Sequence, residues 1–232
     1  DPYALRRNLN GVIKIIWDYE LDLPLDKLFN ELIDFWKIVF PNFNISRDTV
    51  LNDLNEFLVQ RIVSHLEEIS LSKEFIKAVC SSDELSQKRV LNIVDLKHRI
   101  KSIIYFNEKH NFVEIQKVIS RVSKLANNSD LSRDVLSTRD YVNIKLFEKD
   151  CELKVFEFIR ELEKLFSEGY CNYLELLNLF EINVNTIEDL FDNEKGVLIM
   201  SEDLKIRNNR LNLLSLIRNY SLKIADFTLL NS

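Results

Sequence analysis

A chain with almost no turn-forming residues has few ways to fold. Only three glycines (Gly11, Gly169, Gly196) and three prolines (Pro2, Pro24, Pro41) occur in 232 residues. Sheets of many short strands need such residues at every reversal, so this scarcity favours long helices with few breaks. Apolar residues recur at helical spacing almost throughout. Val12, Ile15, Ile16 and Tyr19 form one stripe in a helix from Leu5 to about Glu20, and Leu28, Leu32, Phe35, Trp36 and Val39 form the next, between Pro24 and Pro41. Ser46 is placed to cap a long helix carrying Leu51, Leu54, Leu58, Ile62 and Leu66. Further helices are expected around 73–80, from about Asp83 to Phe106, and from Phe112 to Ala126. Asn127–Ser132 has the polar, stripeless composition of a linker. Helices resume near Tyr141 and stop at Gly169. Two short amphipathic segments then lead to an irregular stretch at Phe191-Asp192-Asn193, and a last helix runs from about Glu202 to Ile224. The fold class is all-α.

Hydrophobic residues make up 46% of the chain and charged ones 29%, the balance of a folded globular protein. No apolar run approaches the roughly 20 residues that span a bilayer, and the opening residues lack the apolar core of a signal peptide. Three widely spaced cysteines (Cys80, Cys151, Cys171) suit a reducing cytosol, so a cytoplasmic location with no membrane partner is expected. The first residue is not methionine, and the expectation is a fragment of a longer chain.

Catalytic patterns are missing. His65, His98 and His110 are too far apart for a zinc site, and three scattered glycines cannot build a phosphate loop. No catalytic residue, metal site or cofactor is assigned to this chain. Against a net charge of -6, however, the stretch from Lys97 to Lys124 carries seven basic and two acidic residues. Lys117, Arg121 and Lys124 stand at i, i+4 and i+7, on one side of a helix whose other side is apolar. Such a row is either a solvated face or a contact for a phosphate backbone. The last helix is odd in another way. Projected at 100° per residue, Arg207, Arg210 and Arg218 share a sector with Leu211 and Leu214, while Asn208, Asn212, Ser215 and Asn219 lie opposite. Arginines on an apolar sector need partners; Asp192 and Asp226 are the nearest candidates, and a groove-edge role toward RNA is the other reading.

These residues resemble a known family. Asp1-Pro2-Tyr3-Ala4-Leu5-Arg6-Arg7 is similar to the DPFALRR segment of the glycyl-tRNA synthetase β subunit. Phe191-Asp192-Asn193, Val197–Met200, the run Arg207-Asn208-Asn209-Arg210-Leu211-Asn212-Leu213-Leu214, Ile217-Arg218 and Ala225–Leu230 resemble its C-terminal pattern. Glu194-Lys195-Gly196 stands as an insertion after the FDN motif, and Ser120 stands where the family pattern has lysine. The resemblance implies a helical connection from the β-subunit body over 1–111 and a DALR-like anticodon-binding bundle over 112–232. It implies an α2β2 assembly in which the α subunit holds ATP, Mg and the aminoacylation site, and this part binds tRNA(Gly) without chemistry. The tRNA-binding residues it points to are Lys117, Arg121, Lys124, Asp192, Asn193, Arg207 and Arg210. A helical scaffold or protein-interaction module without RNA binding is the alternative.

Overall fold

The computed structural model describes residues 2–42, 46–80, 90–109, 112–167 and 172–230. Every regular element among them is helical. The chain divides into two compact units, Asp1–Ile100 and Lys101–Ser232.

The first unit holds α1 (Pro2–Tyr19), α2 (Leu25–Val39), α3 (Arg47–Glu68), α4 (Lys73–Val79) and the start of α5 (Ile93–Lys109). Helix α3 is the centre of this unit, with α1, α2 and α4 packed on it. Ile13, Ile16, Leu58, Ile62, Leu66, Ile76 and Leu96 form its core. Because glycine is so rare, the left-handed turns after α1 and α3 fall to Glu20 (φ 50°) and Ser70 (φ 67°), at a cost of about 1 kcal/mol or more each. Ser46 does precede α3, but its side chain makes no capping hydrogen bond; Ser72 caps α4 by accepting from the Phe75 N–H. His65 is buried edge-on against Trp17, and neither of its ring nitrogens has a hydrogen-bond partner. Along α2, Phe35, Trp36, Ile38 and Val39 remain exposed.

The second unit is built on two long helices that pack along one another, α6 (Phe112–Ala126) and α10 (Leu204–Ser221). Between them in sequence come a 3-10 turn (Ile144–Leu146), α7 (Asp150–Ser167), α8 (Tyr173–Ile182) and α9 (Val184–Asp189). Asn172 caps α8 and Asp203 caps α10, each carboxamide or carboxylate oxygen accepting from two N–H groups of the first turn. Helix α10 is not amphipathic, as its sequence suggested. Ser215 and Asn219 on its expected polar side are completely buried, and Leu211, Leu213, Leu214 and Leu216 are buried as well.

The reason lies in the irregular stretch between Ala126 and α7. Asn127–Ser132 joins no units; it begins a loop laid along α10 and tied to it by side-chain donors. Arg218 donates to the carbonyls of Ala126 and Leu131, Asn219 to Ser132 and Val135, and the Tyr220 hydroxyl to Leu136. Farther along the loop, Asn212 donates to the Tyr141 carbonyl and Asn209 to that of Asn143. Arg218, Asn219 and Tyr220 thus hold the first part of the loop, and Asn212 and Asn209, farther back on α10, hold the last. Buried carbonyls must be paired, and here amide and guanidinium groups of one helix supply the donors. Tyr141 therefore sits in this loop, and the helix expected to resume there begins at Asp150 instead. The start of the helix expected from Asp83 lies outside the described residues, as does the stop expected at Gly169.

Candidate nucleic-acid interface

Helix α6 buries Ile115, Val118, Ile119 and Val122 and turns Lys117, Arg121 and Lys124 outward, all three exposed. The i, i+4, i+7 spacing thus becomes a single row of cations. Lys117 and Lys124 have no ion-pair partner among the described residues. The three line a concavity of about 390 Å³ together with Gln116, Ser120 and the tail residues Thr228 and Leu230. Gln116 fixes that tail by donating to the Leu230 carbonyl at 2.7 Å. The other basic residues of the +5 stretch do different work. Lys97 is buried, donating to the Trp17 carbonyl and pairing with Glu20 at 2.9 Å. Arg99 is buried against Asp95, also at 2.9 Å. Local charge in the sequence overstated the cationic surface.

Arg121 joins the row to the Phe191-Asp192-Asn193 turn, its guanidinium 4.1 Å from the centre of the Phe191 ring. A guanidinium stacked in this way keeps its in-plane N–H donors for another ligand. The turn itself is self-contained. Asp192 accepts from the N–H groups of Glu194 and Lys195, both at 2.8 Å, and these bonds hold its carboxyl below the ordinary aspartate range. Lys149 clamps the same turn by donating to the carbonyls of Glu194 and Gly196. Gly196 has no room for a side chain, because a Cβ would lie 2.4 Å from the Asp192 carbonyl oxygen and 2.6 Å from that of Leu190. Asn193 is exposed at the tip.

Asp192 is therefore not the partner of Arg210. Arg210, 3% exposed, donates through Nε to Glu152 at 2.8 Å and through Nη2 to Glu148 at 2.6 Å, and Nη1 reaches the Leu198 carbonyl at 3.0 Å. Glu152 is fully buried and also accepts from the N–H groups of Glu148 and Lys149 ahead of α7. The two carboxylates outweigh burial and raise the proton affinity of Arg210. Arg218 does not pair with Asp226, which accepts from Thr228. Arg218 serves the loop carbonyls and Asn219, and burial pushes its pKa down to about 10, so it remains a cation at neutral pH. Arg207, half-buried at the start of α10, has no partner among the described residues. Neither Glu148 nor Glu152 stood out in the sequence; a carboxylate completely out of water was the available signal only once the fold was known.

Where the loop meets α10 there is a second concavity, of about 650 Å³. Tyr141, Asn208 and Asn212 line it, and they also line an adjoining one of about 280 Å³. No three His, Cys, Asp or Glu gather to hold a metal ion among the described residues, and no described helix is long and apolar enough to cross a membrane.

An all-helical segment with an unpaired cationic row suits a subunit of an aminoacyl-tRNA synthetase, and its relatives are of that class. A family model described as glycyl-tRNA synthetase beta subunit matches residues 1–81. Among curated proteins, the glycine–tRNA ligase beta subunit of Acaryochloris marina is 29% identical over 231 residues, and that of Trichodesmium erythraeum 30% over 232, each covering 98% of this chain. That of Yersinia pestis is 28% identical over 234 residues. Over nearly its whole length the chain is similar to glycyl-tRNA synthetase β subunits. It spans about a third of the length of these relatives (32%, 32% and 31%).

Proposed function

We propose that this chain is the tRNA-binding part of a glycine–tRNA ligase β subunit, holding the anticodon arm of tRNA(Gly) while an α subunit carries out glycylation. In this reading the enzyme is an α2β2 ligase of the cytoplasm, and ATP and Mg act at the α subunit. The DALR-like anticodon-binding bundle occupies 112–232, and 1–111 connects it to the body of the β subunit. The observation that carries the proposal is the exposed row Lys117, Arg121 and Lys124, with Arg121 stacked on Phe191 and its neighbours unpaired. Phosphates are the ligands such a row favours, because neutralising them releases counterions. Asp192, Asn193 and Arg207 are the further tRNA contacts in this reading. Arg210 acts from within the fold, holding the Leu198 carbonyl.

The test is a titration of the full-length protein with tRNA(Gly) over a range of salt. Replacing Lys117, Arg121 and Lys124 with glutamine should weaken binding and flatten the log-affinity against log-salt slope by about 0.7–0.9 per lost contact. An unchanged slope would make the row an ordinary solvated face. A second role, protein–protein contact, is favoured for the first unit by the exposed Phe35, Trp36, Ile38 and Val39 of α2.

A further inference from the structure

The cationic row offers contacts to a backbone but nothing that distinguishes one base from another. The concavity between the loop and α10 differs in kind. Its charged lining residues are Lys145, Lys205 and Asp140, and Asp130 lines the adjoining hollow, so the two signs balance. A balanced lining does not trap a phosphate. Val142, Ile144 and Leu146 line it beside asparagine amides whose hydrogen-bonding capacity is unevenly used. Asn209 exchanges two bonds with the backbone of Asn143, and Asn212 holds the Tyr141 carbonyl at 2.8 Å while accepting from the Ser129 hydroxyl. These two amides set the loop in place. Asn208, just ahead of them on α10 and exposed, has no side-chain hydrogen bond among the described residues. Tyr141, 42% exposed, has no ring stacked on it and no partner for its hydroxyl among the described residues. Its backbone is nonetheless anchored by Asn212, and the preceding Asp140 takes a left-handed conformation (φ 67°) at the bend.

A free ring on a fixed backbone, beside a free carboxamide, matches what an unpaired base presents. The base has a π face to stack and an edge with adjacent donor and acceptor atoms, and a carboxamide can pair with that edge through its oxygen and its NH₂ together. At about 650 Å³ the concavity is within the range of roughly 300–1,000 Å³ typical of ligand clefts.

We propose that Tyr141 and Asn208 form a subsite for one unpaired nucleobase of the bound RNA, Tyr141 stacking the ring and Asn208 reading its edge. The subsite rests on the tRNA-binding reading above and adds to it the residues that discriminate between bases. Stacking is neutral chemistry, so its loss changes affinity without changing salt dependence, whereas loss of the cationic row changes both.

The experiment uses the full-length protein, unmodified tRNA(Gly), and a set of the same tRNA with a single abasic position stepped through the anticodon loop. For the parent protein, one abasic position should weaken binding by roughly 5- to 150-fold. Tyr141→Ala should weaken binding of intact tRNA by a similar factor, leave the salt slope unaltered, and be indifferent to that same abasic position. Tyr141→Phe should retain most of the affinity, and Asn208→Ala should lower discrimination when that base is exchanged for another. Thermal unfolding of each variant separates a lost contact from a lost fold. If Tyr141→Ala and Asn208→Ala bind intact and abasic tRNA as the parent does, the subsite is wrong while the cationic row stands. If the parent protein shows no tRNA binding at all, both readings fall.

Discussion

Replacing Glu152 with alanine leaves the Arg210 guanidinium 3% exposed, its Nε donor without an acceptor and its remaining carboxylate, Glu148, with a side chain 57% exposed. Removing one member of a buried pair costs about 3–5 kcal/mol, because the surviving charge stays out of water. The second unit contains roughly 130 residues, and at that size each kcal/mol lowers Tm by about 3–5 °C. Glu152→Ala should therefore lower the second unit's unfolding temperature by roughly 10–20 °C. Glu148→Ala, which removes an exposed partner, should cost about 0–1 kcal/mol. Far-UV circular dichroism follows unfolding of all helices, whereas Trp17 and Trp36, the only tryptophans, both lie in the first unit. The loss should thus appear in the dichroism signal. A double variant with Glu152→Leu and Arg210→Met should recover most of it, since no charge is left stranded. Equal losses of under about 1 kcal/mol for Glu152→Ala and Glu148→Ala would refute the claim that burial sets the value of this pair.

Three further outcomes follow from other sites. Burial lowers the proton affinity of His65, so below its unfolded pKa of about 6.5 the unfolded chain takes up a proton that the folded one resists. Stability measured by tryptophan fluorescence in urea should fall as pH drops through that point, and His65→Phe should remove this component; an identical pH dependence in the variant would assign it to another group. Gly196→Ala forces a methyl against two carbonyl oxygens and should cost about 1–3 kcal/mol by dichroism-monitored unfolding, a prediction contradicted by an unmoved midpoint. Burial pushes the Cys80 thiol up to about 11; with Cys151→Ser and Cys171→Ser in place, it should react with Ellman's reagent at pH 8 far more slowly when folded than when denatured, and equal rates would overturn that.

Much of this molecule could be read from spacing alone. The stripe Ile115, Val118, Val122 placed α6, and the same periodicity turned Lys117, Arg121 and Lys124 outward, because a cation row opposite an apolar stripe has one orientation available. Spacing failed where polar groups are buried together. Asn212, Ser215 and Asn219 look like a solvent face, yet Ser215 and Asn219 are buried, and Asn212 and Asn219 bind backbone carbonyls from 71 to 87 residues away. Arg210 finds its partners 58 and 62 residues back in sequence, not at Asp192. Long-range satisfaction of polar groups leaves no local period, so the ends of α10 were approximately legible while its surroundings were not. The resemblance at both ends of the chain pointed to the family; it carried no information on Tyr141, which lies in the loop between them.

The loop from Ala126 to Asn143 has almost no regular structure, yet five side chains of α10 hold its carbonyls. Ordering a free loop costs about 1–2 kcal/mol per backbone residue; here folding has already met that cost before any ligand arrives. A partner docking on this loop meets a surface already in shape. Its encounter rate should be set by diffusion and charge, not by waiting for the loop to assume a rare conformation. Docking should also lack the large heat-capacity change that accompanies folding on binding. The same tethering restricts how the loop can lengthen over time. An added residue between two tethered carbonyls would shift every later donor–acceptor pair along α10, so the length of this loop should be held nearly fixed.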